Sequence, residues 1–187
     1  MSGHSKWSQI KRQKAVSDGA KAKIFSRFAK LIALDSKKAA GSQSAPSLAS
    51  AIERAKKANM PKENIERAIA KGISKDSGDL EQIIYECYGP GGVAVIIDAL
   101  TDNRNRTNQE LKFLVSEQGL SLATPGSALW AFSKSSNGLF SPNEPLVEIA
   151  GIDEEKVSIL LSALDEHGDV QRVFTNARGY ESTENEN

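Results

Sequence analysis

The chain has 187 residues, enough for one large domain or two small ones, and its 39% hydrophobic and 26% charged content is ordinary for a soluble globular protein. A single cysteine, Cys87, excludes an intrachain disulfide and a thiol-rich metal site, and no apolar run approaches the length of a membrane span. The 24 basic and 24 acidic side chains cancel in total but not in place: residues 1–75 hold 17 Lys or Arg against 5 Asp or Glu, and residues 76–187 hold 7 against 19. That partition reads as two units with different partners, a basic one suited to phosphate and an acidic one that adds little to such binding. The N-terminus is polar and basic without the apolar segment of a signal peptide, so a cytoplasmic location is expected, or an organelle matrix if a targeting segment has been removed.

Taken in order, residues 1–20 read as an extended basic arm leading into a helix. Ten Lys or Arg stand against two acids, Asp18 and Asp35, in the first 38 residues, with Trp7 among the positive charges. Ammonium and guanidinium groups neutralise phosphates and release counterions, and an indole can stack on a base. The plain alternative is a solvated helix face or a disordered tail. Residues 21–38 have helical period: Ile24, Phe25, Phe28, Leu31 and Ile32 form one apolar face, while Lys23, Arg27 and Lys30 form a cationic row expected to stand in water. A small polar connection over 39–46 precedes a second helix over 47–58, with Leu48, Ala51, Ile52 and Ala55 inward. Pro61 suits the first turn of a third helix, with Ile65, Ala68 and Ile69 inward and Gly72 at its end.

Residues 73–80 read as a linker, where the charge changes sign and the period changes from helix to strand. Strands over 83–88 and 93–100 flank a Gly89-Pro-Gly-Gly92 turn. Thr107 and Glu110 have capping-box spacing for a helix closed by Gly119. Strands are expected over 127–133 and 145–150, then a helix capped by Asp153 and stopped by Gly168, then a strand over 170–175. The fold class is α+β: a three-helix basic domain (1–75), a ferredoxin-like α/β sandwich domain with an extra N-terminal strand (81–177), and a flexible tail (178–187).

Several motifs in this order resemble one known family. They are Gly3-His-Ser-Lys-Trp7, Lys23-Ile-Phe25, Asn59-Met-Pro-Lys62 with Asn64-Ile-Glu-Arg-Ala-Ile69, Tyr88-Gly-Pro-Gly-Gly-Val-Ala-Val95 and Leu100-Thr-Asp-Asn-Arg-Asn-Arg-Thr107. Together they resemble the YebC/PmpR family, whose mitochondrial relatives are translational activators of cytochrome c oxidase. Asp169-Val-Gln-Arg-Val-Phe-Thr-Asn176 is similar, less specifically, to the family's C-terminal segment. The resemblance implies a helical N-terminal domain followed by α/β domains, and no enzymatic activity. Bacterial members carry the label of DNA-binding transcriptional regulators, and mitochondrial and some bacterial ones are described as ribosome-associated translation factors. Typical members insert a further domain between the strand ending near Lys134 and the one starting near Pro145, where this chain has only a loop-length connection.

Catalytic chemistry is not visible. His4 and His167 lack ligand-like spacing with Cys, His or carboxylates, so no metal and no cofactor are expected. Cys87, in an apolar strand, reads as a structural thiol. The Gly-Pro-Gly-Gly turn lacks the Lys-Ser/Thr of a phosphate loop and joins two strands. The candidate nucleic-acid contacts are Lys6, Lys11, Arg12, Lys14, Lys21, Lys23 and Arg27 for phosphate, Trp7 for stacking, and Lys62, Arg67 and Lys71 as an extension of that surface. Arg104 and Arg106 join them as two of only seven cations beyond residue 75. The expected function is a non-enzymatic regulator of gene expression, with ribosomal RNA and the ribosome favoured and duplex DNA the alternative; no membrane or small-molecule substrate is expected. Nothing reads as a recognition helix with a dimer element, which weakens sequence-specific DNA reading. A general interaction protein with non-specific phosphate affinity is the third class.

Overall fold

Three helices come first in the computed structural model, which describes residue 6 and residues 18–74, 79–136 and 138–181. They are α1 (Asp18–Lys38), α2 (Pro46–Lys57) and α3 (Lys62–Ile73). The apolar residues at helical spacing do what their period requires: Ile32 of α1, Leu48, Ala51, Ile52 and Ala55 of α2, and Ile65, Ala68 and Ile69 of α3 bury one shared core. Phe25, Phe28 and Leu31 pack against it half-buried. Gly72 does not end α3, which runs on to Ile73. It is buried where α3 crosses α1, and a Cβ there would stand 2.3 Å from the Ala33 carbonyl oxygen and 2.7 Å from the Ser36 Cβ. The close approach is fixed from the other side as well, since the buried Ser36 hydroxyl donates to the Ile69 carbonyl at 2.9 Å.

The sheet follows as β1 (Glu81–Tyr88), β2 (Ala94–Thr101) and, at the end of the chain, β5 (Val170–Thr175), all antiparallel in the order β1-β2-β5. Between them lie α4 (Arg104–Ser116), a short ribbon of β3 (Phe132–Lys134) and β4 (Phe140–Pro142), and α5 (Gly151–Glu166). The central strand β2 is buried along its whole length, so its alternating side chains feed two cores. Val95 and Ile97 pack with Leu111 and Val115 of α4, Val157, Leu160, Leu161 and Leu164 of α5, and Val173 of β5. Ala94 and Ile96 point the other way, onto Phe132, Phe140 and Phe174, whose rings meet edge-on at 6.5 and 5.5 Å.

The α+β class and the element order agree with the sequence reading; the middle of the second unit differs. Strand structure expected over 127–133 is confined to β3, because Leu129–Ala131 turns as a short 3₁₀ helix. Buried Glu86 holds that turn, accepting from the backbone N–H groups of Gly126 (2.6 Å), Ala128 (2.7 Å) and Leu129 (3.1 Å). The segment 145–150 is not a strand and makes one parallel bridge, Val147 to Ala177. Accordingly β3 and β4 form their own two-stranded sheet on the second face, outside β1-β2-β5. The capping-box expectation also fails: α4 starts at Arg104 with Asn103 as its cap, the Asn103 side chain accepting from the Arg106 N–H at 3.0 Å. Thr107 lies one turn inside, and its hydroxyl is used elsewhere. The tail expected from residue 178 is seated at its start, with Tyr180 only 4% exposed in the α4–α5 core.

A methyl group at Gly72 has nowhere to go but into backbone. Gly72→Ala is expected to lower stability by about 1–3 kcal/mol, read as a reduced midpoint in urea; an unchanged midpoint would show that α1 and α3 can separate without loss.

Candidate nucleic-acid interface

The row of cations on α1 does not all face water. Lys23 is exposed, but Arg27 Nη1 reaches Asp165 of α5 at 3.3 Å, and Lys30 Nζ donates to the Gly168 carbonyl at 3.0 Å and to the Asp169 carboxylate. The sequence reading of three solvated cations is therefore corrected for Arg27 and Lys30. Their partners are carboxylates at the far end of α5 and before β5, contributed by the acidic half of the chain.

Asp169 is the centre of this joint. Its residue is 4% exposed, and besides Lys30 it accepts from Arg106 Nη2 at 2.9 Å and from the Thr107 hydroxyl at 2.6 Å. Its own carbonyl accepts from the Leu100 N–H at 2.8 Å, tying the segment before β5 to β2. Burial works to raise the carboxyl pKa, but the hydrogen bonds from Lys30, Thr107 and Arg106 outweigh it and hold Asp169 well below the usual carboxylate range. The Asp169 hydrogen bond likewise raises the Arg106 guanidinium, opposed by desolvation. Arg106 is shared further with Asp102 at 3.0 Å and Glu110 at 3.9 Å.

Glu110, His167 and Asp169 offer three ligand-type atoms within 4.8 Å of one another, a grouping that their sequence spacing did not suggest. The ring Nδ1 of His167 accepts from the Asp169 N–H at 3.2 Å, and its Nε2 faces Glu110 at 3.1 Å. With Nδ1 accepting, the neutral ring carries its proton on Nε2 and donates it to Glu110. The guanidinium of Arg106 and the ammonium of Lys30 thus already supply the positive charge that two carboxylates require, and the donor set fits an ion-pair network rather than a metal.

The other candidate residues divide by location. Lys6 bonds to Glu154 of α5, which also accepts from Tyr180 at 3.3 Å, and the Lys6 N–H donates to the Gly179 carbonyl at 2.8 Å. The side-chain bond between Lys6 and Glu154 raises the lysine pKa and lowers that of Glu154. Arg104 reaches Glu81 at 3.3 Å, and Lys62 pairs along its helix with Glu66 at 3.6 Å. Lys21, Lys23, Lys62, Arg67 and Lys71 occupy exposed positions. Arg67 and Lys71 line a groove between α1 and α3 together with Phe25, Ala29 and Ala33. Trp7, Lys11, Arg12 and Lys14 lie outside the described residues. The structure therefore brings Arg67 and Lys71 to one groove, which Lys30 also lines, leaves Lys21, Lys23 and Lys62 exposed elsewhere on the helical unit, and brings Arg27 and Arg106 to the joint with the sheet.

Sequence reasoning did not place Lys30, Asp169 and Thr107 together: the Lys30–Asp169 bond spans 139 positions and the Thr107–Asp169 bond 62. An aromatic pair was also missed. Trp130 is 70% exposed and its indole N–H donates to the Tyr88 hydroxyl at 3.0 Å; a strand there would have set the ring beside Phe132. Cys87 is buried, which pushes its thiol pKa up to about 12 and leaves it a packing residue.

The fold resembles that of a conserved hypothetical protein from Aquifex aeolicus. Its crystal structure matches with a TM-score of 0.78 at 30% identity, over 86% of this chain and 91% of that one. The TACO1/YebC N-terminal domain matches residues 5–75, and the TACO1/YebC second and third domain matches residues 80–146. A protein of Pelotomaculum thermopropionicum is 45% identical over 90% of this chain and 68% of its own length. One of Thermotoga maritima is 49% identical over 136 residues, 72% of this chain and 54% of that protein. Both are named probable transcriptional regulatory proteins. The chain belongs to the TACO1/YebC family. Its match spans about half the length of the Thermotoga relative. No helix among the described residues is long and apolar enough to cross a membrane.

Because the folded pKa of Asp169 is depressed, its contribution is present above the unfolded value near 3.9 and fades as pH falls through the lower folded value. Asp169→Asn is expected to cost about 2–3 kcal/mol at pH 7, at the low end for a buried pair because Lys30 and Arg106 retain access to water. Urea titrations of both proteins should show this gap closing below about pH 4; a gap independent of pH would assign the loss to packing.

Proposed function

We propose that this protein is a non-enzymatic, nucleic-acid-binding regulator of gene expression, and that its target is ribosomal RNA on the ribosome, where it relieves stalled translation. The observation that carries the reading is the placement of charge: the basic half keeps Lys23, Arg67 and Lys71 exposed on the helical unit, while the acidic half takes up Arg27, Lys30 and Arg106. A surface of that kind neutralises phosphates and draws affinity from counterion release, with no base-reading element required. The groove between α1 and α3 adds apolar surface, Phe25 and Ala29, beside the cations. That combination suits unpaired or irregular RNA, in which bases are open to contact, better than a smooth duplex. The acidic sheet unit repels phosphate and so orients the molecule with its helices toward the polyanion.

Duplex DNA is the second reading, favoured by the name that the relatives carry. Both share the phosphate term, so charge does not divide them. Crosslinking in living cells, with sequencing of attached RNA and DNA, does. Enrichment of ribosomal RNA near the peptidyl-transferase region, lost when Lys11, Arg12 and Lys14 are changed to Glu with the sheet unit still folded, is the expected outcome. Discrete promoter peaks with little ribosomal RNA would replace this reading with the transcriptional one.

A further inference from the structure

The acidic unit is not acidic all over. Residues 118–143 hold no Asp or Glu and a single Lys, Lys134, and residues 87–97 hold no charged side chain. The fold brings these two stretches together at one end of the sheet. Strand register sets Gln82, Ile84, Glu86 and Tyr88 of β1 on one face with Ala94, Ile96 and Asp98 of β2, the face that Phe132 and Phe140 of the ribbon cover. At the Gln82 end of that face, Gln82 and Asp98 line a cavity with Arg27 and Phe28 of α1. At the Tyr88 end lies the turn that carries Trp130. The helical unit and this turn thus meet one sheet face at its two ends, separated by roughly 20 Å of strand. The nearest carboxylate to the turn is Glu86, buried beneath it with its oxygens already taken by the N–H groups of Gly126, Ala128 and Leu129.

Trp130 is more exposed than any other large apolar side chain among the described residues, yet it is held in place. Its indole N–H donates to the Tyr88 hydroxyl at 3.0 Å, and that hydroxyl donates to the Ser127 carbonyl. The backbone is pinned too, since the Trp130 carbonyl accepts from the Asn143 side-chain amide at 3.1 Å. A ring already fixed loses little freedom when something binds to it. Both donors of the pair are spent inside the protein, so the surface left for a ligand is aromatic face. A flat ring can stack there, whereas a peptide main chain finds no donor for its carbonyls. We propose that Trp130 is a stacking platform for an unpaired nucleobase, with Tyr88 as its positioning residue. The strand is the one whose phosphates the helical cations hold, so the inference rests on the nucleic-acid reading above and adds a base contact to it. Every base has a π-face, and the platform therefore selects unpaired strands rather than a sequence. The carboxylate-free surroundings let the flanking phosphates approach, and exposed Lys134 on the same ribbon attracts them.

Binding of two single strands by the full chain tests the platform: an oligouridylate, and an abasic strand of the same length and charge. Trp130→Ala should weaken the oligouridylate about tenfold and leave both the abasic strand and the salt dependence unchanged. Trp130→Phe keeps a ring and should retain most of the affinity, while Tyr88→Phe frees the indole and should cost a smaller factor than Trp130→Ala. The Trp130 ring is mostly in water, so the urea midpoint of Trp130→Ala should stay near that of the wild type. Equal oligouridylate binding by wild type and Trp130→Ala overturns the platform and leaves the phosphate surface standing. Equal loss on both strands, or no rescue by Trp130→Phe, assigns the effect to phosphate contact or folding and also overturns it. A polyproline peptide bound through Trp130, with the strands unaffected, would give the ring to a protein partner instead. Failure of the wild type to bind either strand removes the nucleic-acid reading and the platform together.

Discussion

One buried carboxylate joins the two halves of this molecule. Asp169 precedes the last strand of the sheet, yet its oxygens are taken up by Lys30 of the first helix and by Arg106 and Thr107 of α4. Removing its charge from water is costly, and three donors, two of them charged, repay that cost. The consequence reaches well beyond one ion pair. The joint ties α1 to the segment before β5 and keeps the Lys30 ammonium turned toward it. Charge segregation between the halves thus has a structural role before any functional one: the acidic unit is the counterion of the inward cations of the basic unit.

Much of the architecture is written locally. The apolar spacing of Leu48, Ala51, Ile52 and Ala55, and of Ile65, Ala68 and Ile69, is enough to define two helices and their common core. The run from Ala94 to Thr101 declares a central strand because a strand covered on both faces is apolar on both, here with only Asp98 and the terminal Thr101 as polar residues, both buried. The failures have equally local causes. Thr107 and Glu110 have the spacing of a cap, but Asn103 competes for that role and wins by being three residues ahead of the Arg106 N–H. The segment containing Trp130 has strand composition, but the Glu86 carboxylate, 40 to 43 positions before the amides it accepts from, gathers them into a turn.

The site was harder to read for one physical reason: sequence records the number of charges in a stretch, not whether each has a partner. Lys23, Arg27 and Lys30 are equivalent by helical spacing. Only tertiary contact separates Lys23, which stays outside, from Arg27 and Lys30, which meet Asp165 and Asp169 more than a hundred residues away. The exposed cations Arg67 and Lys71 were legible because their helix presents a single apolar face and leaves its other side to solvent.

The central claim is that outward cations of the helical unit bind phosphate while inward ones hold the molecule together. The dependence of RNA affinity on salt concentration tests it most directly, since the slope of log affinity against log salt counts phosphate contacts at roughly 0.7–0.9 each. Replacing Lys23, Arg67 and Lys71 together by Gln should flatten that slope by about two to three, whereas Lys30→Gln should leave it unchanged and lower stability instead. A slope that responds to Lys30 and ignores the other three would contradict the account.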